Sequence, residues 1–397
     1  MRNTPFLLAH NPPPHSLLLL CASNDEALYC ADLLRYWQSE RPVWHFPSWE
    51  TLPYDRYRAP QELVNARLRL LLRLPQERAA YIVVSAPTLR QRLCPQSHLD
   101  RQGVGLRRDD TLSREQLLRR LRAAGYRETR SLGLPGEMVV LPQQLDFYPL
   151  ACPDPISVRW QDGRIVALRT LDLASNRTKI DSREIILPPP HELDLNALPP
   201  LPAGENPDYF LPACFKETAS LLDYLPPATA LLATPALAEV LRQQEQHCAQ
   251  RWRPGQLPPD EVWWPTATLL ERLAPLPRYQ ARGQVEALPF AGTAGERQRQ
   301  WEDYRKRFPR LEIHSASALD EDATVSPLRH SFASGDTAYL YRGDLLPPSA
   351  SGRRASSLLQ DLTELQPGDP LIHSDFGVGR YGGLETLEGE EMLRLDY

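Results

Sequence analysis

Lysine is almost missing from this 397-residue chain, which carries its positive charge on arginine and has only Lys179, Lys216 and Lys306. None of the three follows a glycine. The chain therefore has no Gly-Lys-Ser/Thr phosphate loop, the element in which backbone N–H groups and a lysine cradle nucleotide phosphates. Its six cysteines (Cys21, Cys30, Cys94, Cys152, Cys214, Cys248) form no Cys-x-x-Cys pair. Neither a zinc knuckle nor a disulfide frame is indicated, and a reducing compartment fits. The nine histidines make no His-x-x-Glu or His-x-x-x-His grouping, so no metal site is expected. A Gly-x-Ser-x-Gly nucleophile elbow is also missing. The apolar run 17–21 is too short to cross a bilayer, and the N-terminus lacks the basic flank, apolar stretch and small-residue cleavage site of a signal peptide. The expectation is a soluble cytoplasmic protein without a catalytic residue, metal or cofactor of its own.

What is present is a 42% apolar share, 40 prolines and a net charge of −5. No global field draws such a chain to nucleic acid or anionic lipid, so any DNA contact would be local. The arginine preference reads either as an Ala/Leu/Arg/Pro compositional bias or as a phosphate-reading adaptation, and the second would cluster arginines on one element. The length allows roughly two or three domains.

Strand and helix patterns alternate at first. Residues 16–20 are continuously apolar, as in a strand buried on both faces. Residues 25–40 place Ala27, Ala31, Leu34 and Trp37 at helical spacing, 43–46 form a short strand, 61–74 a helix and 81–84 a third strand. This βαβαβ order implies a parallel sheet covered by helices. A short helix is expected over 88–93. From about 111 the texture changes. Ser113 and Gln116 form a capping box for a helix that Gly125 ends at the C′ position. Strands follow at 137–140, 156–160, 164–168 and 184–187, and Asp162-Gly163 is a hairpin turn between two of them. Prolines 188–190 open a stiff linker. Beyond it, 231–233 is a strand between segments 219–225 and 236–247, and 291–345 holds a charged helix at 294–308 with strands at 311–313 and 338–341.

Three local features admit a functional reading. The stretch Pro47-Ser48-Trp49-Glu50-Thr51-Leu52-Pro53-Tyr54-Asp55, with two large rings and two prolines between a strand and a helix, is either a structural loop clamped on the sheet or a binding loop. Arg159, Trp160 and Arg164 are either a partner-binding face, since Arg and Trp favour interface centres, or a solvated hairpin. Asp260-Glu261 follows two prolines and reads as a solvated turn, not an acidic metal box at a strand end. At the C-terminus, a turn at 367–369 leads to an apolar strand, a Gly377-Val378-Gly379 tight turn, a strand with Arg380, Tyr381 and Leu384, and an alternating stretch 392–397. A lone hairpin is marginal without further strands. The segment is expected to be the start of a small barrel, and the chain the front part of a longer protein.

Several motifs, in order, resemble one family: Trp49-Glu50-Thr51-Leu52-Pro53-Tyr54-Asp55, Ala86-Pro87-Thr88-Leu89-Arg90-Gln91-Arg92-Leu93-Cys94-Pro95, Ala124-Gly125-Tyr126, Leu145-Asp146-Phe147-Tyr148-Pro149, Leu221-Leu222-Asp223-Tyr224-Leu225-Pro226, and the closing Gly368-Asp369 with His373 and Gly377-Val378-Gly379-Arg380-Tyr381. They look like the N-terminal half of the bacterial transcription-repair coupling factors (Mfd). The resemblance implies an α/β fold: a degenerate UvrB/RecA-like parallel sheet, an inserted α+β domain, and an incomplete Tudor/SH3-like β-barrel at the C-terminus. It divides the chain into 1–110 (first part of the UvrB-like domain), 111–190 (inserted domain), 205–290 (return of the α/β domain), 291–345 (a small domain, shorter than its family counterpart), 346–365 (linker) and 366–397 (start of the CarD-like RNA-polymerase-interacting domain).

The implied function is non-catalytic linkage of stalled RNA polymerase to nucleotide excision repair. In such proteins ATP and DNA belong to a translocase motor that comes later. The implied partner is the RNA polymerase β subunit, with Leu384 and Leu387 as apolar contacts and Arg380 and Tyr381 at their rim. Leu384 reads equally as barrel core. The family's UvrA-binding positions on the insert, two charges and an aromatic, correspond to Leu141, Ser157 and Gln161. Losing such anchors costs on the order of 2 kcal/mol or more each, so UvrA binding is expected to be weak or absent. Phe376 also departs from the family, which has a histidine there. The other readings are a diverged stand-alone adaptor that binds polymerase without UvrA coupling, and a residual nucleic-acid or helicase role, which the charge balance and missing motor motifs disfavour.

Overall fold

The structure, a computed structural model, describes residues 3–37, 40–51, 53–54, 59–102, 104–123, 126–149, 152, 154–173, 175, 177–187, 192, 209–316, 323–345, 368, 370–373, 377–387 and 390–396. Gly125, the prolines at 188–190, the 346–365 linker, the 367 and 369 positions of the C-terminal turn and the side chains of Leu384 and Leu387 lie outside it.

The chain opens with helix α1 (Thr4–His10) and strand β1 (Leu17–Cys21), followed by α2 (Asn24–Tyr36), β2 (Val43–His45), α3 (Gln61–Arg73) and β3 (Tyr81–Ser85). With a later strand, Ala230–Ala233, they form an all-parallel sheet in the order Ala230–Ala233, β1, β3, β2. All five residues of β1 and of β3 are buried, because helices cover both faces. Strand alternation divides them between two cores. Leu18, Leu20, Ile82 and Val84 face one with Leu68 and Leu71 of α3, whereas Leu17, Leu19, Tyr81 and Val83 face α1 and α2 through Leu8, Ala27 and Leu34. The helix expected over 25–40 ends at Tyr36, where Trp37 is the C-cap and its ring packs edge-on against Phe6 and Tyr339. A one-turn helix, α4 (Ala86–Leu89), starts two residues earlier than expected, because Ser85 caps it through the Thr88 N–H.

After α5 (Gln96–Gln102), strand β4 (Val104–Arg107) begins the insert, which includes α6 (Arg114–Ala123) and strands β5 (Arg127–Glu128), β6 (Glu137–Val140), β7 (Gln144–Phe147), β8 (Ile156–Gln161), β9 (Arg164–Leu171) and β10 (Thr178–Asp181). These last six form one sheet in sequence order, antiparallel except for β5 with β6. Strand β11 (Glu184–Leu187) returns antiparallel to β4 and closes the unit at its base. Leu117 and Leu121 of α6 pack on Met138, Leu145, Phe147, Val158, Trp160 and Leu168, giving the insert its own core. Asp162 and Gly163 have φ of 50° and 76°, the positive pair that a two-residue type I′ hairpin requires.

The chain then passes through α7 (Leu211–Cys214), β12 (the strand Ala230–Ala233), α8 (Leu237–Arg251), α9 (Pro259–Val262) and α10 (Thr266–Leu273), which complete the cover of the first sheet. Asp260-Glu261, expected as a turn, lies in the single turn of α9 with both residues exposed. A third unit starts at β13 (Glu286–Ala287) and continues through α11 (Ala294–Arg307), β14 (Arg310–Ser315), β15 (Thr324–Val325), β16 (Phe332–Ser334) and β17 (Thr337–Tyr341). Its sheet order is β13, β16, β17, β14, β15. One face holds Trp301 of α11, and the other docks Phe332 and Tyr339 on Phe6 of α1 and Leu33 of α2. Strands β18 (Pro370–His373), β19 (Gly377–Leu387) and β20 (Glu390–Asp396) form a three-stranded antiparallel sheet. Gly377-Val378-Gly379 is not the turn expected from the sequence. Its residues pair with His373, Ile372 and Leu371 inside β19. The conformational demand on glycine falls instead at Gly383, φ 110°, where the register shifts at a bulge.

Candidate protein-binding surfaces

In an open parallel sheet the usual ligand position is beyond the carboxyl ends of the strands, where helix N-termini offer N–H groups to a phosphate. Here that position is occupied by the chain itself. Ser23 Oγ accepts from the Glu26 N–H at 3.2 Å, and the Glu26 carboxylate accepts from the Ala22 N–H at 2.7 Å. With Asp25 in the same turn, a phosphate at α2 would meet two carboxylates. Beyond β3, the Ser85 and Thr88 hydroxyls both donate to Asn24 Oδ1, which ties up the polar atoms there. At both strand ends, among the described residues, these polar groups are engaged within the chain.

The insert presents a different surface. Alternation along β8 turns Ile156, Val158 and Trp160 inward and leaves Arg159 and Gln161 exposed. The face away from the core carries Gln144, whose amide donates to both oxygens of Asp146 at 2.9 and 3.0 Å, and Arg169, 3.8 Å from Asp181. A hydrogen bond from Arg108 holds the Asp181 carboxyl below the usual range. Leu141 is 40% exposed at the turn after β6. Gln161 ends β8 at the same end of the sheet, where the Trp160 N–H donates to Gln143 O at 2.9 Å. Ser157 is in mid-strand between Asp146 and Arg169, and is buried. The three positions thus separate into two exposed residues at one sheet end and one covered residue. Of the proposed Arg159, Trp160 and Arg164 face, Trp160 is withdrawn into the core, where its Nε1 donates to Leu112 O at 2.8 Å. Arg159 and Arg164 remain in solvent.

In the C-terminal sheet, Arg380 is exposed and donates to Gly368 O at 2.7 Å. Tyr381 is buried, so it does not stand at an exposed rim. Leu384 and Leu387 occupy β19 opposite Leu393 and Glu390. The glycines between these residues shape the strand: a Cβ at Gly382 would stand 2.7 Å from Arg394 Nε.

Comparison with known proteins bears on each surface. Residues 104–193 match the UvrB interaction domain family, a range that runs from β4 to just beyond β11. Over 90% of its length the chain is 26% identical to a transcription-repair-coupling factor of Escherichia coli and to one of Haemophilus influenzae. A Staphylococcus aureus protein of the same name is 25% identical over 42% of the chain. The resemblance carried by the motifs holds: the chain is related to the transcription-repair-coupling factors. The match spans about two fifths of the length of the Escherichia coli and Haemophilus influenzae proteins, 39% of each, and 14% of the Staphylococcus aureus protein.

One buried feature of this coupling-factor-related chain escaped sequence reasoning. Arg67, fully buried on α3, donates to Pro47 O at 2.8 Å, Gln91 Oε1 at 2.7 Å and Glu192 Oε1 at 3.3 Å. Its guanidinium stands 4.4 Å above the Phe46 ring and 4.5 Å above that of Trp49. The arginine therefore fixes the aromatic loop and the segment leaving the insert at a single point. Trp49 is buried, in line with the structural reading of that loop. The only local signal was Trp49 itself, because positions 67, 91 and 192 are remote in sequence.

Proposed function

We propose that this chain is the non-motor, protein-binding portion of a transcription-repair coupling factor and links stalled RNA polymerase to nucleotide excision repair. The observation that carries this reading is the match of the UvrB interaction domain to a separately cored insert, within a chain that aligns with coupling factors over nine tenths of its length. In this reading the parallel sheet is a degenerate UvrB-like scaffold, and β18 to β20 begin a Tudor/SH3-like barrel of the CarD type. Leu384 and Leu387 supply its apolar contact with the polymerase β subunit and Arg380 its polar edge. ATP and DNA translocation belong to the motor of the longer relatives, and the chain works in the cytoplasm. Capture of the RNA polymerase β subunit by the immobilised chain, lost on Leu387→Arg, is the expected result. No capture by the unaltered chain would refute the polymerase role.

A second reading is an adaptor that binds polymerase without UvrA coupling. It is favoured by neutral Leu141 and Gln161 at the exposed sheet end and by the burial of Ser157. In this second reading UvrA binds weakly or not at all, and tight retention of UvrA by the chain would overturn it. Coding sequence continuing past Tyr397 into Walker and helicase motifs would select the first reading, and a natural stop there the second.

A further inference from the structure

A cleft of about 440 Å³ opens between the first unit and the base of the insert. Leu72 and Pro75, at the end of α3 and just after it, give it a half-buried apolar wall. The opposite wall is the β4–β11 ribbon, in which Leu106, Ile185 and Leu187 join the insert core while Gly105, Arg107 and Glu184 line the cleft. Arg107 and Glu184 neutralise each other across the ribbon at 2.6 Å. Asp100 of α5 and Asp110 also line the cleft, and neither carboxylate has a hydrogen-bond donor or cation partner among the described residues. Elsewhere acids on this arginine-rich surface are commonly paired, as Glu128 is with Arg122, Asp223 with Arg272 and Glu286 with Arg307. Space is left directly in front of the ribbon, since nothing lies within 4 Å of where a Cβ at Gly105 would stand.

We propose that this cleft docks a cationic segment of a partner protein: an arginine or lysine side chain lays its aliphatic stem on Leu72 and Pro75 and places its charge between Asp100 and Asp110. Long basic side chains pack their stems on apolar surface while the charged head stays wet, and a concave site with two uncompensated acids concentrates the field that attracts them. The apolar wall and the open space at Gly105 favour a peptide over a free polyamine, which needs acids along its whole length. The inference does not depend on the polymerase or repair contacts proposed above.

The test uses the whole chain and a fluorescent hexapeptide, Ala-Leu-Arg-Ala-Arg-Leu, followed by anisotropy at low salt. Binding should weaken about tenfold in the Asp100→Asn, Asp110→Asn double variant, the scale of two partly exposed ion pairs. It should vanish in Gly105→Phe, which fills the cleft from a strand position without positive φ. Glu302→Gln with Asp303→Asn, two exposed acids on α11, should leave it unchanged. Unaltered thermal melting of each variant keeps these readings about binding, and the aspartate pair decides the matter if Gly105→Phe does not fold. The proposal is overturned if the chain does not bind the peptide, if the α11 variant weakens binding equally, if citrulline replaces arginine without loss, or if spermidine binds as well.

Discussion

The first sheet and the sheet of the insert are built from strands of similar length, yet they bury them in opposite ways. Every residue of β1 and β3 is buried, whereas β8 alternates over its outer half and β10 is exposed at all four positions. The parallel sheet has no free face, whereas the antiparallel sheet shields a core on one side and shows charge on the other. A charged side chain accordingly has a different worth in each. Beside the parallel sheet Arg67 is enclosed and must be matched, and on the insert Arg159 is in water where neighbours count for little.

Arg67→Ala gives the hardest test of that contrast. Removing the guanidinium leaves Glu192 and Gln91 buried without their shared donor and opens space between Phe46 and Trp49. Breaking a buried pair from one side costs about 3–5 kcal/mol, and urea unfolding of the whole chain should show a loss of that size. A loss below about 1 kcal/mol would mean that water restores the site, and that enclosure does not set the value of the charge.

A second, somewhat smaller effect separates the buried joint of the third unit from both sheets. His314 lies fully buried on β14 beside Tyr36 and Trp37, with Nδ1 3.1 Å from Ser326 Oγ. Burial lowers its pKa to about 4, so at neutral pH the ring is uncharged and the Glu312 oxygen 3.7 Å from Nε2 forms no ion pair with it. The unfolded chain takes up a proton near pH 6.5 that the folded chain resists until about pH 4. Stability is therefore full above 6.5 and falls as the pH drops towards 4, by roughly 3 kcal/mol at most. Thermal melts between pH 7 and 4 should show the decline, and His314→Gln should remove that part of it. An identical decline in the variant would assign it to carboxylates instead.

What could be read from the sequence was what neighbours in the chain decide. The runs at β1 and β3 are apolar without a break, and Ser113 and Gln116 exchange the expected hydrogen bonds, Gln116 Oε1 accepting from the Ser113 N–H at 2.9 Å. What could not be read depends on partners far away. Strand β4 exists because β11 pairs with it some eighty residues later, and β13 and β15 are two-residue exposed strands defined only by their neighbours in the sheet. Trp160 looked like a surface anchor because its neighbours are polar, and the register with β9, shifted at Arg159 and Trp160, turns it inward. At the C-terminus the glycine pattern identified the family motif but suggested a turn in the wrong place, since only pairing with β18 shows that Gly377 to Gly379 lie in a strand.

The smallest expected effect is on the insert's open face. Arg159 is exposed on β8, has no ion-pair partner among the described residues, and stands opposite Gln144 and Ala167. Its charge is already solvated, so reversing it removes no buried contact and leaves no group without its hydration. Arg159→Glu should change the unfolding free energy by no more than about 0.5 kcal/mol, an order of magnitude less than Arg67→Ala. A loss above about 1 kcal/mol would show that this face is packed against another part of the chain, and the contrast between an enclosed scaffold and a presented surface would fail at the residue best placed to display it.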